Sequence, residues 1–237
     1  FLKGFSNLIG PKILVHGGGK LASNLSNKMN IPVQLIDGRR VTNAETLDII
    51  TMVYAGKINK NIVAKLQSFG CNSVGFSGAD GNTIIANKRP ETPINYGFAG
   101  DIVKVNIDVL KILINNDITN IFSAISHDKK GQLLNTNADT VASELAIAFS
   151  NDYKVELYYC FEKKGVLKRM NDENSVIKKI NNKKYIELKK SNIINEGMIP
   201  KLDNCFYALD HNVSKVCIGQ PTMLFDHHSN FTTIQKL

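Results

Sequence analysis

The sequence predicts an α/β protein with a mainly parallel sheet, and three observations predict it. Short β-type apolar runs recur along the 237 residues, stretches of helical spacing lie between many of them, and glycine-rich or charged turns follow the runs. The runs are Lys12–Val15, Val33–Ile36, Ser73–Gly75, Ile84–Ala86, Ile121–Ala124, Val155–Tyr159 and Lys215–Ile218. The clearest helix begins at "TNAE", where Thr42 and Glu45 form a capping box. Leu47, Ile50, Tyr54, Ile58, Ile62 and Leu66 then recur at three- and four-residue intervals before Gly70. A second helix follows Asp139, with Ala142, Leu145, Ala146 and Phe149 on one side, and a third follows Gly197, with Ile199, Leu202, Phe206 and Leu209. The stretch 160–190 breaks this rhythm and marks the start of a second lobe.

Composition removes several classes of function. An apolar share of 43% and a charged share of 21% are those of an ordinary globular chain. No apolar run reaches the roughly 20 residues of a membrane span, and "FLKGFSNLIG" is too short and interrupted for a signal peptide. Cys71, Cys160, Cys205 and Cys217 have neither disulfide nor zinc spacing, so they read as reduced, mostly buried thiols in a cytoplasmic protein. The net charge of +8 raises the question of nucleic acid. Lysines are spread along the chain and thickest at 163–190, without an aromatic platform or a base-reading helix, so a solvated basic face that attracts anionic substrates is the better reading.

In such a sheet, functional groups collect where strands end and helices begin. "VHGGGK" (15–20) ends the first run. It is neither G-x-x-x-x-G-K-[ST] nor G-x-G-x-x-G, and it fits either a tight turn or a cradle of bare N–H groups for an anion. "DGRRVT" (37–42) sets two arginines on a loop, where composition alone favours solvated surface groups and chemistry suits a carboxylate. "FSGADGN" (76–82) reads as a connecting turn. In "NTNADT" (135–140), Asn135, Asn137 and Asp139 alternate and in an extended segment share one side. In "NEGMIPK" (195–201), Lys201 falls in the first turn of a helix, against the dipole, as if kept for a task. No Ser or Cys nucleophile with a neighbouring base stands out. His127, His211, His227 and His228 lack metal-ligand spacing, and no protein metal site is expected. A site of cations and dipoles without a nucleophile suits phosphoryl transfer.

"ILVHGGGK", "DGRRVT", "AGKINKNIVAKL", "GFSGADGN", "GFAGDIVKVN", "LLNTNADTVASELA", "KKGVL" and "GMIPKLD" occur in the order found in acetylglutamate kinases, and the chain resembles that branch of the amino acid kinase family almost end to end. The resemblance implies an αβα sandwich, with residues 1–150 an N-lobe for the acylated amino acid and dimerisation, and 151–237 a C-lobe for ATP. It implies transfer of the γ-phosphoryl group of ATP, with Mg2+ carried by the nucleotide, to the side-chain carboxylate of N-acetyl-L-glutamate in arginine synthesis, by a cytoplasmic homodimer with no nucleic-acid or membrane partner.

Gly18 and Gly19 would present N–H groups to substrate and phosphoryl, Arg40 would grip the α-carboxylate, and Asn135 and Asn137 would contact the acceptor. Lys201 would neutralise charge on the phosphoryl group. Asp139 would hold the catalytic lysines in place rather than act as a base. Nucleotide contacts would come from Glu162, Gly165, Ile193, Ile194, Asn195 and Lys201.

Two departures from the family pattern stand out. The usual "K-x-G-G" turn would precede Phe1, so a preceding segment is expected. "YYCFEKKGVL" (158–167) stands where "TDVPGVL" is usual, with Glu162 for Asp. N-succinyl-L-glutamate is the alternative acceptor, and a non-catalytic arginine-sensing relative the alternative role.

Overall fold

The structure, a computed structural model, describes residues 1–194, 198–226 and 228–236. Its chain divides into two compact units: Leu2–Val141, and Ala142–Leu237 together with Phe1. The division falls inside a helix at 138–150, where a boundary at 150/151 was expected. The reason is packing. Ala142, Ala146 and Ile147 join the hydrophobic core of the C-terminal unit.

The N-terminal unit opens with α1 (Leu2–Ser6), β1 (Ile13–His16) and α2 (Gly19–Lys28). A tight hairpin follows, β2 (Leu35–Ile36) and β3 (Arg39–Arg40), turning through Asp37 and Gly38 with φ of 49° and 73°. An Asp-Gly pair suits that turn, so the stretch read as a loop is a β-ribbon. Next come α3 (Ala44–Thr51), a π-helical stretch Met52–Ile58, and α4 (Asn59–Gln67). Then follow β4 (Ser73–Phe76), β5 (Ile84–Lys88), β6 (Gly100–Val105), α5 (Asp108–Ile114), β7 (Thr119–Ser123), β8 (Ile125–His127), β9 (Leu133–Asn135) and α6 (Ala138–Ser150).

Strands β1, β7 and β4 form a parallel sheet in the order β1-β7-β4, with Val15 opposite Phe122 and Phe76 opposite Phe122. Strand β7 is buried throughout, as the middle strand of a parallel sheet must be. A second sheet runs β6-β5-β8-β9 and includes antiparallel pairs. One core cluster joins Ala22, Ile49, Ile50, Val53 and Tyr54 to Ala124 and Ile125, and another joins Phe5, Leu66 and Ile121.

The expected capping box is corrected. The N-cap of α3 is Asn43, whose side-chain oxygen accepts from the Thr46 N–H at 2.9 Å. Thr42 is held instead as extended backbone, donating its N–H to Tyr96 O and accepting from Phe98 N–H, which denies it the cap position.

The C-terminal unit holds β10 (Glu156–Cys160), β11 (Lys179–Ile180), α7 (Asn182–Lys190), α8 (Ile199–Asp210), β12 (Lys215–Gly219) and β13 (Thr232–Ile234). Its sheet runs β10-β12-β13-β11, with β10 parallel to β12. Leu202, Phe206 and Leu209 of α8 pack on Val216 and Ile218, as their spacing predicts. Cys71, Cys205 and Cys217 are buried, Cys160 is exposed, and all four are free thiols. The fold is thus α/β with parallel strand pairs in each unit.

Candidate active site

In the N-terminal unit the predicted residues meet around the junction of β1 and α2. Helix α2 starts at Gly19, and its first internal bond runs from Ala22 N–H to Gly18 O at 3.0 Å. The N–H groups of the opening turn therefore have no partner inside the helix, and the positive end of the helix dipole lies there. Gly18 is a close-approach glycine: a Cβ there would fall 2.4 Å from Ile58 Cδ1 and 2.7 Å from Tyr54 Cδ1. Both side chains come from the π-helical stretch. A π turn inserts an extra residue into a helix and re-aims the side chains after it, a feature that the three-four spacing of 47–66 does not register.

Arg40 lies against the same loop. It is 9% exposed, and its Nη2 donates to Gly19 O at 3.1 Å and to Ser23 Oγ at 2.8 Å. Tyr54 bonds the same guanidinium, and burial raises the phenol above its usual range while Arg40 opposes that shift. The Arg40 Nη1 is buried with no hydrogen-bond partner. A buried, charged donor left over in this way is what a carboxylate ligand would satisfy. Arg39, its neighbour on β3, takes the other side of the ribbon. Burial and the charge of Arg89 pull Arg39 below its usual pKa, while Asp101 and Tyr96 oppose them. The two arginines of one motif thus have different surroundings, and neither is simply a solvated surface group.

Asn135 connects to Arg40 through Thr42. The fully buried Thr42 hydroxyl donates to Arg40 O at 3.0 Å and accepts from Asn135 Nδ2 at 3.0 Å. Asn137 does not extend the strand alternation. Its Oδ1 accepts from Asp139 N–H at 2.7 Å and Thr140 N–H at 3.2 Å, which makes it the cap of α6 and puts Asp139 in that helix's first turn. The three polar residues therefore do not share one extended face. Asn137 is exposed. Gly17 brings the loop to the start of α6, where its Cβ would be 3.7 Å from Ala138 Cβ.

In the C-terminal unit, Lys201 stands in the first turn of α8 with its Nζ 4.8 Å from the centre of the Tyr159 ring. A cation over an aromatic face is held by the ring quadrupole. Although Cys160 is exposed as a residue, desolvation of its sulfur pushes the thiol up to about 11, with Lys201 pulling the other way. Glu162 is exposed, and its carbonyl accepts from Gln220 Nε2 at 2.9 Å. Gly165 is packed tightly against Thr232. Ile194 is buried and Ile193 partly buried in the core of this unit, so what they can offer a nucleotide is backbone. Asn195 and His227 lie outside the described residues.

Sequence reasoning passed over Ser23, Thr42, Tyr54 and Tyr159. Tyr54 carried a signal, but its spacing marks it as core, and it is both core and wall of the glycine loop.

A family model described as the amino acid kinase family matches residues 2–220. Acetylglutamate kinase from Cytophaga hutchinsonii is 53% identical over 227 residues, 95% of this chain and 86% of that protein. Acetylglutamate kinase from Phocaeicola vulgatus is 49% identical over 217 residues, 92% and 84% of the two chains. Among solved structures, the crystal structure of smu.665 from Streptococcus mutans superposes with a TM-score of 0.81 at 26% identity, covering 94% of this chain and 85% of that one.

Proposed function

The chain belongs to the amino acid kinase family, and from that premise we propose that it transfers the γ-phosphoryl group of ATP to the side-chain carboxylate of N-acetyl-L-glutamate. The product is N-acetyl-L-glutamyl 5-phosphate, an intermediate of arginine biosynthesis, made in the cytoplasm by a homodimer. The observation that carries this reading is Arg40, a buried guanidinium with one nitrogen unsatisfied beside a glycine loop. The extensive identity to acetylglutamate kinases supports the choice of acceptor.

ATP supplies the phosphoryl group, and its magnesium ion offsets part of the phosphate charge. The N-terminal unit takes the acceptor. Arg40 holds the α-carboxylate as a fork, and Asn135 and Asn137 offer amide contacts. Gly18 and Gly19 direct N–H groups at the charge that develops on the transferring group. Asp139 orients rather than abstracts, because the attacking carboxylate carries no proton at neutral pH. An oxygen of the substrate's side-chain carboxylate forms the new O–P bond as the bond between phosphorus and the bridging oxygen breaks, and ADP departs with that electron pair. The C-terminal unit takes the nucleotide through Glu162, Gly165 and the 193–195 segment, with Lys201 neutralising charge on the phosphoryl group.

Trapping with hydroxylamine tests this directly, since an acyl phosphate gives a coloured iron hydroxamate. With MgATP, product is expected from N-acetyl-L-glutamate. Product from N-succinyl-L-glutamate alone would reassign the acyl group, and no product from either would overturn the kinase reading.

A further inference from the structure

His16 is the last residue of β1, and its imidazole is fixed at both nitrogens. Nδ1 lies 2.9 Å from Gly17 O, an atom that can only accept, so Nδ1 carries the hydrogen. Nε2 lies 3.1 Å from Asn59 Nδ2, an amide nitrogen that can only donate, so Nε2 presents a lone pair. The Asn59 amide cannot be turned round. The same Nδ2 donates to Ile121 O at 2.9 Å, and its Oδ1 accepts from Lys60 Nζ at 3.2 Å, so a flip would set oxygen against oxygen. Asn59 is fully buried, and the facing strand makes room for it: a Cβ on Gly75 would fall 1.8 Å from Asn59 Oδ1.

The consequence for the loop follows from peptide geometry. In a trans peptide the C=O and the next N–H point in opposite directions. A hydrogen bond that holds Gly17 O therefore also fixes the direction of the Gly18 N–H, the donor assigned above to the transferring phosphoryl group. We propose that His16 is a positioning residue, locked by Asn59 as the neutral Nδ1–H tautomer so that the Gly18 N–H is aimed before substrate binds. This rests on the kinase reading for what the N–H is aimed at, and not for the lock itself. Burial, the larger influence, depresses the imidazole's proton affinity and favours the same neutral form, while the bond to Gly17 O opposes that shift; Lys60 Nζ bonds the Asn59 Oδ1.

Two substitutions separate the nitrogens. Asparagine places an amide donor near the position of Nδ1, whereas glutamine places its amide near that of Nε2. His16→Asn is expected to keep kcat within about threefold. His16→Gln is expected to lower kcat roughly tenfold, the worth of one net hydrogen bond, with the KM for acceptor little changed in both. Long-range nitrogen NMR of the chain should show His16 Nε2 unprotonated at neutral pH, with its titration displaced below that of an ordinary histidine. In Asn59→Leu, that single tautomer should be lost. Equal losses in the asparagine and glutamine variants, or a hydrogen on Nε2 of the unsubstituted protein, would overturn the proposal. A chain without turnover on any acceptor would instead overturn the kinase reading, and the NMR result would still decide the lock.

Discussion

Arg40 in the N-terminal unit and Lys201 in the C-terminal unit are the two cations assigned to the reaction, and the protein holds them by different means. Arg40 is clamped by a carbonyl and a hydroxyl of α2 and by a phenol of the π-helical stretch, with Nη1 buried and unpartnered. The Lys201 ammonium lies over the face of Tyr159, where the ring quadrupole attracts it. A clamped fork suits a group whose charge is present throughout the reaction, as on a substrate carboxylate. A compact ammonium on a flexible stem suits charge that develops and moves. The first should be expressed in binding and the second in turnover.

Substitutions can break that contrast. The largest expected effect is Lys201→Ala, which should lower kcat about a hundredfold or more while leaving the KM for acceptor within a few fold. Steady-state kinetics with the acceptor varied would show it, and a raised KM with unchanged kcat would assign Lys201 to ground-state binding. Next is Arg40→Lys, expected to raise the KM for acceptor roughly tenfold to a hundredfold, since one ammonium cannot reproduce a fork held at two points. Gly18→Ala comes third. The added methyl meets Ile58 and Tyr54, and overpacking of this kind should cost about 1–3 kcal/mol in denaturant unfolding and misplace the loop.

The smallest effect is on pH dependence. Burial lowers the His16 pKa in the folded state, so its contribution to stability is complete above the ordinary value of 6.5 and is lost as pH falls below that value. The unsubstituted protein should therefore lose more melting temperature between pH 7 and pH 5 than His16→Asn does. An identical loss in both would show that His16 is not the group responsible.

The same contrast explains which parts were legible in the sequence. Short apolar runs marked β1, β4, β7, β10 and β12, with β7 buried throughout, and helical spacing marked α8, which buries Leu202, Phe206 and Leu209 in a core. Strands β8, β9, β11 and β13 are two or three residues long, too short to show a period. The glycine triplet, the second arginine of "DGRRVT" and the lysine of "GMIPK" were visible as residue types that turns alone do not require. Their holders were not. Tyr54 reaches Gly18 only because of a π turn, and Thr42 reaches Asn135 across a separation of 93 residues. Asn59 looks like any polar residue of a helix until β7 is set beside it. Local pattern registers periodicity and composition, whereas these contacts depend on which elements the topology makes neighbours.

One measurement tests the division of labour most directly: calorimetric titration of N-acetyl-L-glutamate into the unsubstituted chain, Arg40→Lys and Lys201→Ala, without nucleotide. The expected result is acceptor binding weakened at least tenfold by Arg40→Lys and unchanged by Lys201→Ala. Equal weakening in both variants, or full affinity in Arg40→Lys, would contradict it.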